Sequence, residues 1–520
     1  MASGKLSLAG RKLLSGSVLR LGNLLVAAVS SFFLMPFIVR HLGDRLYGFW
    51  TLAGTFVGYY GLLDFGFTSA VSQYMSIAIG KNDSRERHAV FNAALRIQTL
   101  IGGAALLVTA AIAAATPWFC HNPADAALFW RVIAILGVSV ALGFPARAYS
   151  GLLEAELRFD IQSGLGIFGI VLRTALVVWA VLEGGGLLAL AWMTLLASLP
   201  VLALQIWFAR REAPWAQIDR SPIDSERAKG FFSYSIYTFL SVIADILRFQ
   251  VDSLVIAGVI GLAAVTHYRV ASVFTRYYID IIVCITGIVQ PLLSRLHGAQ
   301  DRKSLEKVFF FATRVSLCIS IFIGLSLIFW GKPFIARWMG LKYEDAYWPL
   351  VILSLAVLLD VGQNPSIALL YATFKHRFYT YLNCAEGLIN LGFSLALARP
   401  LGVLGVALGT LIGAFLVRVL AQPYWVCKAS GLHYGDYMGF LGGALLRCGG
   451  LMAAVIAITI WGLKPSYPWL IGSAICATAI YAAGSWIFVF NGPEREQLLA
   501  VVSSRTNKRD ELAPVAAAVR

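Results

Sequence analysis

Two stretches, FVGYYGLLDFGF (56–67) and FTRYYIDIIVCI (274–285), decide how this chain is read, because their leading phenylalanine and paired tyrosines stand 218 positions apart. The same offset joins Gly43 to Gly261, Ala53 to Ala271, Thr68 to Thr286, Ser76 to Ser294, Asp83 to Asp301, Phe91 to Phe309 and Arg96 to Arg314. Composition alone would match some alanines and valines between two apolar helices, but a tyrosine pair and an arginine in register mark an internal repeat. Trp130/Trp348 and Leu152/Leu370 carry the register onward.

The repeat sits in a chain of 520 residues that is 59% hydrophobic and only 13% charged, with a mean hydropathy of +0.75. That is far more apolar than a soluble domain. Apolar runs of about 20 residues or more, separated by short polar joints, require helices, because in lipid each backbone polar group is satisfied within its own segment. The alternating strands of a barrel are absent from the pattern. The expected fold is an all-α integral membrane protein of about 14 transmembrane helices. These fall near 16–39, 46–79, 89–116, 124–157, 161–183, 186–209, 230–258, 263–296, 305–331, 345–373, 378–398, 402–425, 438–462 and 467–490. The repeat makes residues 1–209 an N-terminal lobe, 210–229 a linker and 230–427 a C-terminal lobe, with two added spans at 438–490 and a tail at 491–520. An even number of spans per repeat gives both lobes the same orientation, related by a pseudo-two-fold axis along the membrane normal, which is a transporter architecture.

The formal net charge of +15 invites a nucleic-acid reading, but the basic residues sit at membrane edges, so no nucleic-acid partner is expected. Placing both termini in the cytoplasm puts about 25 Lys and Arg inside. Outside it leaves Arg40, Arg45, Lys332, Arg337, Lys342, Arg399 and Lys464. The seven cysteines are scattered without a CxxC pair, so neither a disulfide framework nor a metal site is indicated. No joint is long enough for a catalytic domain, and GxxxxGK[ST], HExxH and GxSxG are all missing. The chain is therefore expected to be neither an ATPase nor another enzyme, and to need no cofactor.

Charges within the spans point to function, since a charged residue at a helix centre costs about 2.5–3.5 kcal/mol on insertion scales and faces a cavity or a partner. Asp245, Arg248 and Asp252 share one face of the seventh span at spacings of three and four, and Arg269, Arg276 and Asp280 form a stripe on the eighth. Internal neutralisation of Asp245 by Arg248 is as good a reading as a cavity lining. Arg173 stands near the middle of the fifth span with no acidic residue within a turn. Arg20, Arg96, Arg314 and Arg418 lie nearer the cytoplasmic side, where the expectation is that they snorkel to the interface. Asp64, Asp360 and Glu386 complete the acidic set. Arginine exceeds acid over these positions, and a cationic cavity predicts an anionic cargo held by bidentate guanidinium contacts. Tyr60 and Tyr278 offer aromatic faces for sugar or prenyl groups, against a plain packing role.

HLGDRLYGFWTLAGTFVGYYGLLDFGFTSAVSQYMSIAIGKND (41–83), with its LG, YG and LLDFGF pattern, resembles the polysaccharide transporter (Wzx-type O-antigen flippase) branch of the multidrug/oligosaccharidyl-lipid/polysaccharide exporter superfamily. The resemblance implies a flippase of the bacterial inner membrane that carries undecaprenyl-pyrophosphate-linked oligosaccharide to the periplasmic leaflet by alternating access, for O-antigen, capsule or exopolysaccharide synthesis. The pattern is carried over at Tyr60, Asp64 and Gly66. On this reading Arg173, Arg248, Arg269, Arg276, Tyr60 and Tyr278 line the pyrophosphate and glycan cavity. Asp64, Asp245, Asp252, Asp280, Asp360 and Glu386 balance charge or bind a coupling cation, H+ or Na+. A polysaccharide polymerase and chain-length proteins are the implied partners. A lipid II flippase shares the expected helix count and a cationic cavity; a multidrug exporter of the same superfamily should have twelve helices and an acid-rich cavity, and fits less well.

Overall fold

The computed structural model describes residues 2–65, 67, 74–75, 84–119, 123–156, 158–218, 239–240, 242–248, 250–286, 289–373, 375–459, 466–492 and 494–495, and every regular element among them is helical. Gly66, linker residues 219–229, the first part of the seventh expected span (230–238) and the end of the tail (496–520) lie outside the described residues. Contacts divide the chain into two compact units, Met1–Val270 with Thr380–Gly413, and Ala271–Tyr379 with Ala414–Arg520.

In the first unit, α1 (Ala2–Tyr59), α2 (Ser84–Phe119), α3 (Pro123–Ala155), α4 (Phe159–Leu182) and α5 (Leu187–Glu212) pack as neighbours. The closest pairings are α2 with α3, α4 with α1, and α5 with both α3 and α4. Phe49, Phe129, Ile133, Leu136 and Ala191 fill one core. A second core holds Phe67, Phe91, Tyr149, Leu152 and Ala209. The unit also takes the helical stretch 242–248, α6 (Val251–Val259) and the first part of α7 (Leu262–Thr286). Most of α12 (His376–Leu401) and nearly all of α13 (Val403–Ala414) complete it.

The second unit contains the rest of α7, then α8 (Val289–Gly298), α9 (Arg302–Trp338), α10 (Tyr347–Val361) and α11 (Asn364–Ala372). From its C-terminal part come α14 (Gln422–Ser430), α15 (Tyr434–Thr459) and α16 (Tyr467–Gly484). Two single turns of π-helix, Phe415–Ala421 and Ser485–Val489, follow α13 and α16. Leu293, Phe309, Leu369, Val426 and Tyr437 form a core under α8 and α9, and Ile321, Cys448, Met452 and Tyr481 one between α9, α15 and α16.

Ten helices among the described residues are long and apolar enough to cross a membrane, which makes this a multi-pass membrane protein. Large apolar side chains stay exposed on them, such as Phe33, Leu107, Leu446 and Phe488, as lipid contact requires. The expected fourteen is not reached on length and apolarity alone. One of the ten, Gly22–Asp64, includes a non-helical residue at Gly43 and so holds two expected spans. α7 and α12, meanwhile, carry Arg269, Arg276 and Asp280, or Arg377, Glu386 and Arg399, within their spans.

The repeat is visible in the backbone. Gly43 (φ 78°) divides the first expected span from the second and Gly261 (φ 131°) the seventh from the eighth; Gly184 (φ 75°) and Gly402 (φ 59°) do the same between the fifth and sixth and between the eleventh and twelfth. Both pairs are 218 positions apart, and each joint turns through backbone angles that side-chain-bearing residues rarely adopt. The repeats differ at the tyrosines. α7 runs unbroken through Tyr277, Tyr278 and Asp280. α1 instead ends at Tyr59, passes into a 3-10 turn over Tyr60–Asp64, and stops at Phe65 in the left-handed region (φ 45°). The second expected span, 46–79, is therefore broken at LLDFGF. Gly58, Gly61 and Gly66 weaken a helix where the second copy has Arg276, Ile279 and Cys284.

A Cβ at Gly43 or Gly261 would touch nothing within 4 Å, so alanine there meets backbone strain alone. Gly43→Ala and Gly261→Ala are each expected to destabilise the purified protein by about 1–3 kcal/mol, while Gly54→Ala, on an open helical face, leaves the thermal midpoint unchanged or higher. Equal midpoints for all three would show that these joints carry no strain.

Candidate functional site

The stripe expected on the seventh span is present, and its partners come from α12 and α13. Glu386, Asn390 and Ser394 follow one another at intervals of four on α12, so they form a single polar face. Arg248 reaches that face: its Nε lies 2.8 Å from Glu386 Oε1, with side chains 8% and 2% exposed. One turn further on, the buried Asp252 carboxylate accepts from the Tyr268 hydroxyl, from Asn390 Nδ2 at 3.3 Å and from Thr410 Oγ1 at 3.2 Å. Asn390 is held in turn by Ser394, whose hydroxyl donates to Asn390 Oδ1 at 3.0 Å. Two buried acids thus share one site with one arginine, and the Asp252 carboxylate takes donors from three other helices, as a buried charge demands. Asp245, on the same stripe, is exposed. The chain therefore answers Arg248 with Glu386 from another helix.

In the second unit a similar network forms where two helices are interrupted. Arg418, inside the π-turn, is fully buried; its Nε lies 3.1 Å from Asp360 Oδ1 at the end of α10. Its Nη1 donates to Gln422 Oε1 at 2.7 Å, and its guanidinium lies over the Tyr379 ring at 5.5 Å. Gln363, in the gap between α10 and α11, donates through Nε2 to the Arg418 carbonyl at 2.8 Å. Arg418 does not snorkel. The π-turn turns it inward onto Asp360, and π-turns of this kind recur at functional sites. Arg314 Nη1 pairs with Glu494 Oε2 at 2.6 Å, just beyond the end of the last span.

The remaining expected residues are placed as follows. Asp64, after the break in the second span, accepts from Arg147 Nη1 at 3.1 Å and from Gln98 Nε2 at 3.0 Å. Arg147 also lies over the Phe144 ring at 4.3 Å. Tyr60 is buried with its hydroxyl 2.5 Å from Thr109 Oγ1. Tyr278 is buried with its hydroxyl 2.5 Å from the Ser320 carbonyl. Both tyrosines bind the next long helix of their own repeat, so their rings pack and their hydroxyls are occupied. Arg276 is exposed and pairs with Asp280 at 3.2 Å, one turn away. Arg269 is exposed on α7. Arg173 is exposed midway along α4, with no hydrogen-bond or ion-pair partner among the described residues.

Thr410 and Arg147 were not among the sequence candidates. Arg147 follows Pro145 near a helix end and looks like an edge residue; Thr410 is one hydroxyl in an apolar helix. Asn390 and Ser394 had a signal in their four-residue spacing from Glu386.

A protein family described as polysaccharide biosynthesis protein matches residues 37–348 of this chain. The uncharacterized membrane protein EpsK of Bacillus subtilis (strain 168) is 22% identical over 488 residues, covering 91% of this chain and 95% of that protein. A putative O-antigen transporter of Shigella flexneri is 22% identical over 415 residues, 77% of this chain and 95% of that one. Among solved structures, lipid II flippase MurJ in an inward closed conformation superposes with a TM-score of 0.72 at 14% identity, over 91% of this chain and 98% of its own. That likeness establishes the fold.

Breaking the Arg248–Glu386 pair leaves a buried charge uncompensated. Glu386→Leu and Arg248→Met are each expected to cost about 3–5 kcal/mol, and the double substitution Arg248→Met/Glu386→Leu to recover most of it. Thermal unfolding of the unaltered protein and these three variants in one detergent gives the coupling; strictly additive losses would mean that the pair is not formed.

Proposed function

The chain belongs to the polysaccharide biosynthesis protein family, a membrane transporter rather than an enzyme, and from that premise we propose that it flips undecaprenyl-pyrophosphate-linked oligosaccharide across the bacterial inner membrane. On this reading transport proceeds by alternating access, both termini lie in the cytoplasm, and the product serves O-antigen, capsule or exopolysaccharide assembly. The observation that carries the proposal is Arg173, a guanidinium exposed at the midpoint of an apolar span with no partner among the described residues. An arginine at that depth is costly unless an anion or water meets it. A pyrophosphate supplies oxygens that guanidinium binds bidentately. Arg269, also exposed and in the same unit, extends the cationic lining on this proposal. Arg248 and Arg418 serve it indirectly, by holding α12 and the π-turn in place through their buried acids.

Asp252 has a separate part. It is a buried carboxylate with hydroxyl and amide neighbours and with the nearby arginine already paired to Glu386. We assign it the coupling cation, H+ or Na+. Binding there neutralises the acid and rearranges the donors from Tyr268, Asn390 and Thr410, which belong to three different helices.

The test is reconstitution of the full chain in vesicles with a fluorescent prenyl-pyrophosphate-linked oligosaccharide, scored by quencher access. Protein-dependent translocation of this lipid, but not of a cationic drug, is expected; absence of translocation with correctly folded protein overturns the proposal. Arg173→Gln is expected to lower the transport rate at least tenfold, which is the loss of about 1.4 kcal/mol of binding, with no shift in the unfolding midpoint. Asp252→Asn keeps the size of the side chain and removes its charge. Transport by that variant is expected to lose its response to an imposed proton or sodium gradient; an undiminished response to both would remove Asp252 from coupling.

A further inference from the structure

A second cationic site, which the transport proposal leaves unused, lies between α9 and the two helices beyond the repeats. Arg302, at the start of α9, donates to the Gly431 carbonyl, just before α15, at 2.8 Å. Arg314 lies about a third of the way along α9 and Arg447 midway along α15. Together with Phe440, Gly439, Gly443 and Val489 they line a cavity of about 120 Å³. The small residues of α15 open that space, and Phe440 takes the Arg314 guanidinium on its ring at 5.2 Å.

An anion already meets one of its two arginines. Beyond the π-turn after α16, Glu494 Oε2 lies 2.6 Å from Arg314 Nη1 while accepting from the Asn491 backbone N–H at 2.9 Å. One carboxylate thus answers Arg314, and Arg447 leaves the site a formal excess of one positive charge. Arg447 has no hydrogen-bond or ion-pair partner among the described residues and is exposed, on an arc of α15 that also exposes Leu446, Gly450, Ala454 and Ile458. That arc is apolar apart from this one cation and opens to the bilayer.

We propose that the Arg314–Arg447 cavity binds the headgroup phosphate of an anionic phospholipid, with Glu494 as a built-in competitor for Arg314. The ligand comes from the bilayer because the free guanidinium sits on an otherwise apolar, exposed arc of α15. Its phosphodiester presents two oxygens that bridge planar guanidiniums, while Leu446 and Ile458 meet the acyl chains. When the lipid is bound, Glu494 yields Arg314, and the segment after α16 is released from α9. Lipid occupancy and tail docking thus exclude one another, which ties the position of the tail to the composition of the membrane.

Native mass spectrometry of the full chain in neutral detergent, titrated with phosphatidylglycerol, tests this. Phosphatidylcholine of the same acyl chains and inorganic phosphate serve as separate arms. Retained phosphatidylglycerol adducts are expected, weakened roughly tenfold by Arg447→Gln, a partner-free exposed residue, and tightened several-fold by Glu494→Gln, since one charge-assisted contact is worth about that factor. Equal retention of phosphatidylcholine, equal competition by free inorganic phosphate, or unchanged binding in both variants would overturn the proposal. Glu494→Gln separates a ligand site from a structural one, because a merely structural ion pair would not gain affinity for lipid when broken.

Discussion

A charge inside an apolar span has to be answered from another helix, and that constraint organises this structure more than any single core does. Arg248 with Glu386, Arg418 with Asp360, and Arg147 with Asp64 each join segments far apart in sequence. Each pair is costly to desolvate and strongly penalised when half of it is lost. Apolar packing between helices in lipid gains little from the hydrophobic effect, so specific polar contacts fix which helices meet. The resulting pairs are registration marks that fix which helices meet.

This constraint explains what was legible in the sequence. Helicity, the membrane class and the repeat followed from composition and from a fixed offset, because both depend on local pattern. The backbone records the same offset at the glycines whose joints need positive φ, Gly43 with Gly261 and Gly184 with Gly402. The family resemblance carried by LLDFGF and its neighbours also held. What the sequence could not show was pairing across helices. Depth along a span suggested that Arg418 reaches for the interface, yet it is wholly buried on Asp360. Hydropathy reports how far along a helix a charge lies; it does not report which way it points.

The tyrosines give the same lesson in reverse. Tyr60 and Tyr278 are matched by the repeat, and a matched residue invites a functional role. Their hydroxyls instead bond Thr109 and the Ser320 carbonyl, so what duplication kept is a fastening between neighbouring helices. Asn390 and Thr410, polar but uncharged, donate to the buried Asp252 carboxylate, and Ser394 holds Asn390 in turn.

The break after Tyr59 carries a further consequence. A 3-10 turn ending in a left-handed Phe65 forfeits several i→i−4 bonds in the middle of an expected span, where no bulk water replaces them. Backbone amides there need less energy to open than those of the uninterrupted copy at Tyr277 and Tyr278. Amide exchange with solvent deuterons should therefore begin earlier in the first repeat than in the second, and the more labile of two inherited copies would be the one that adapts its shape to what it carries.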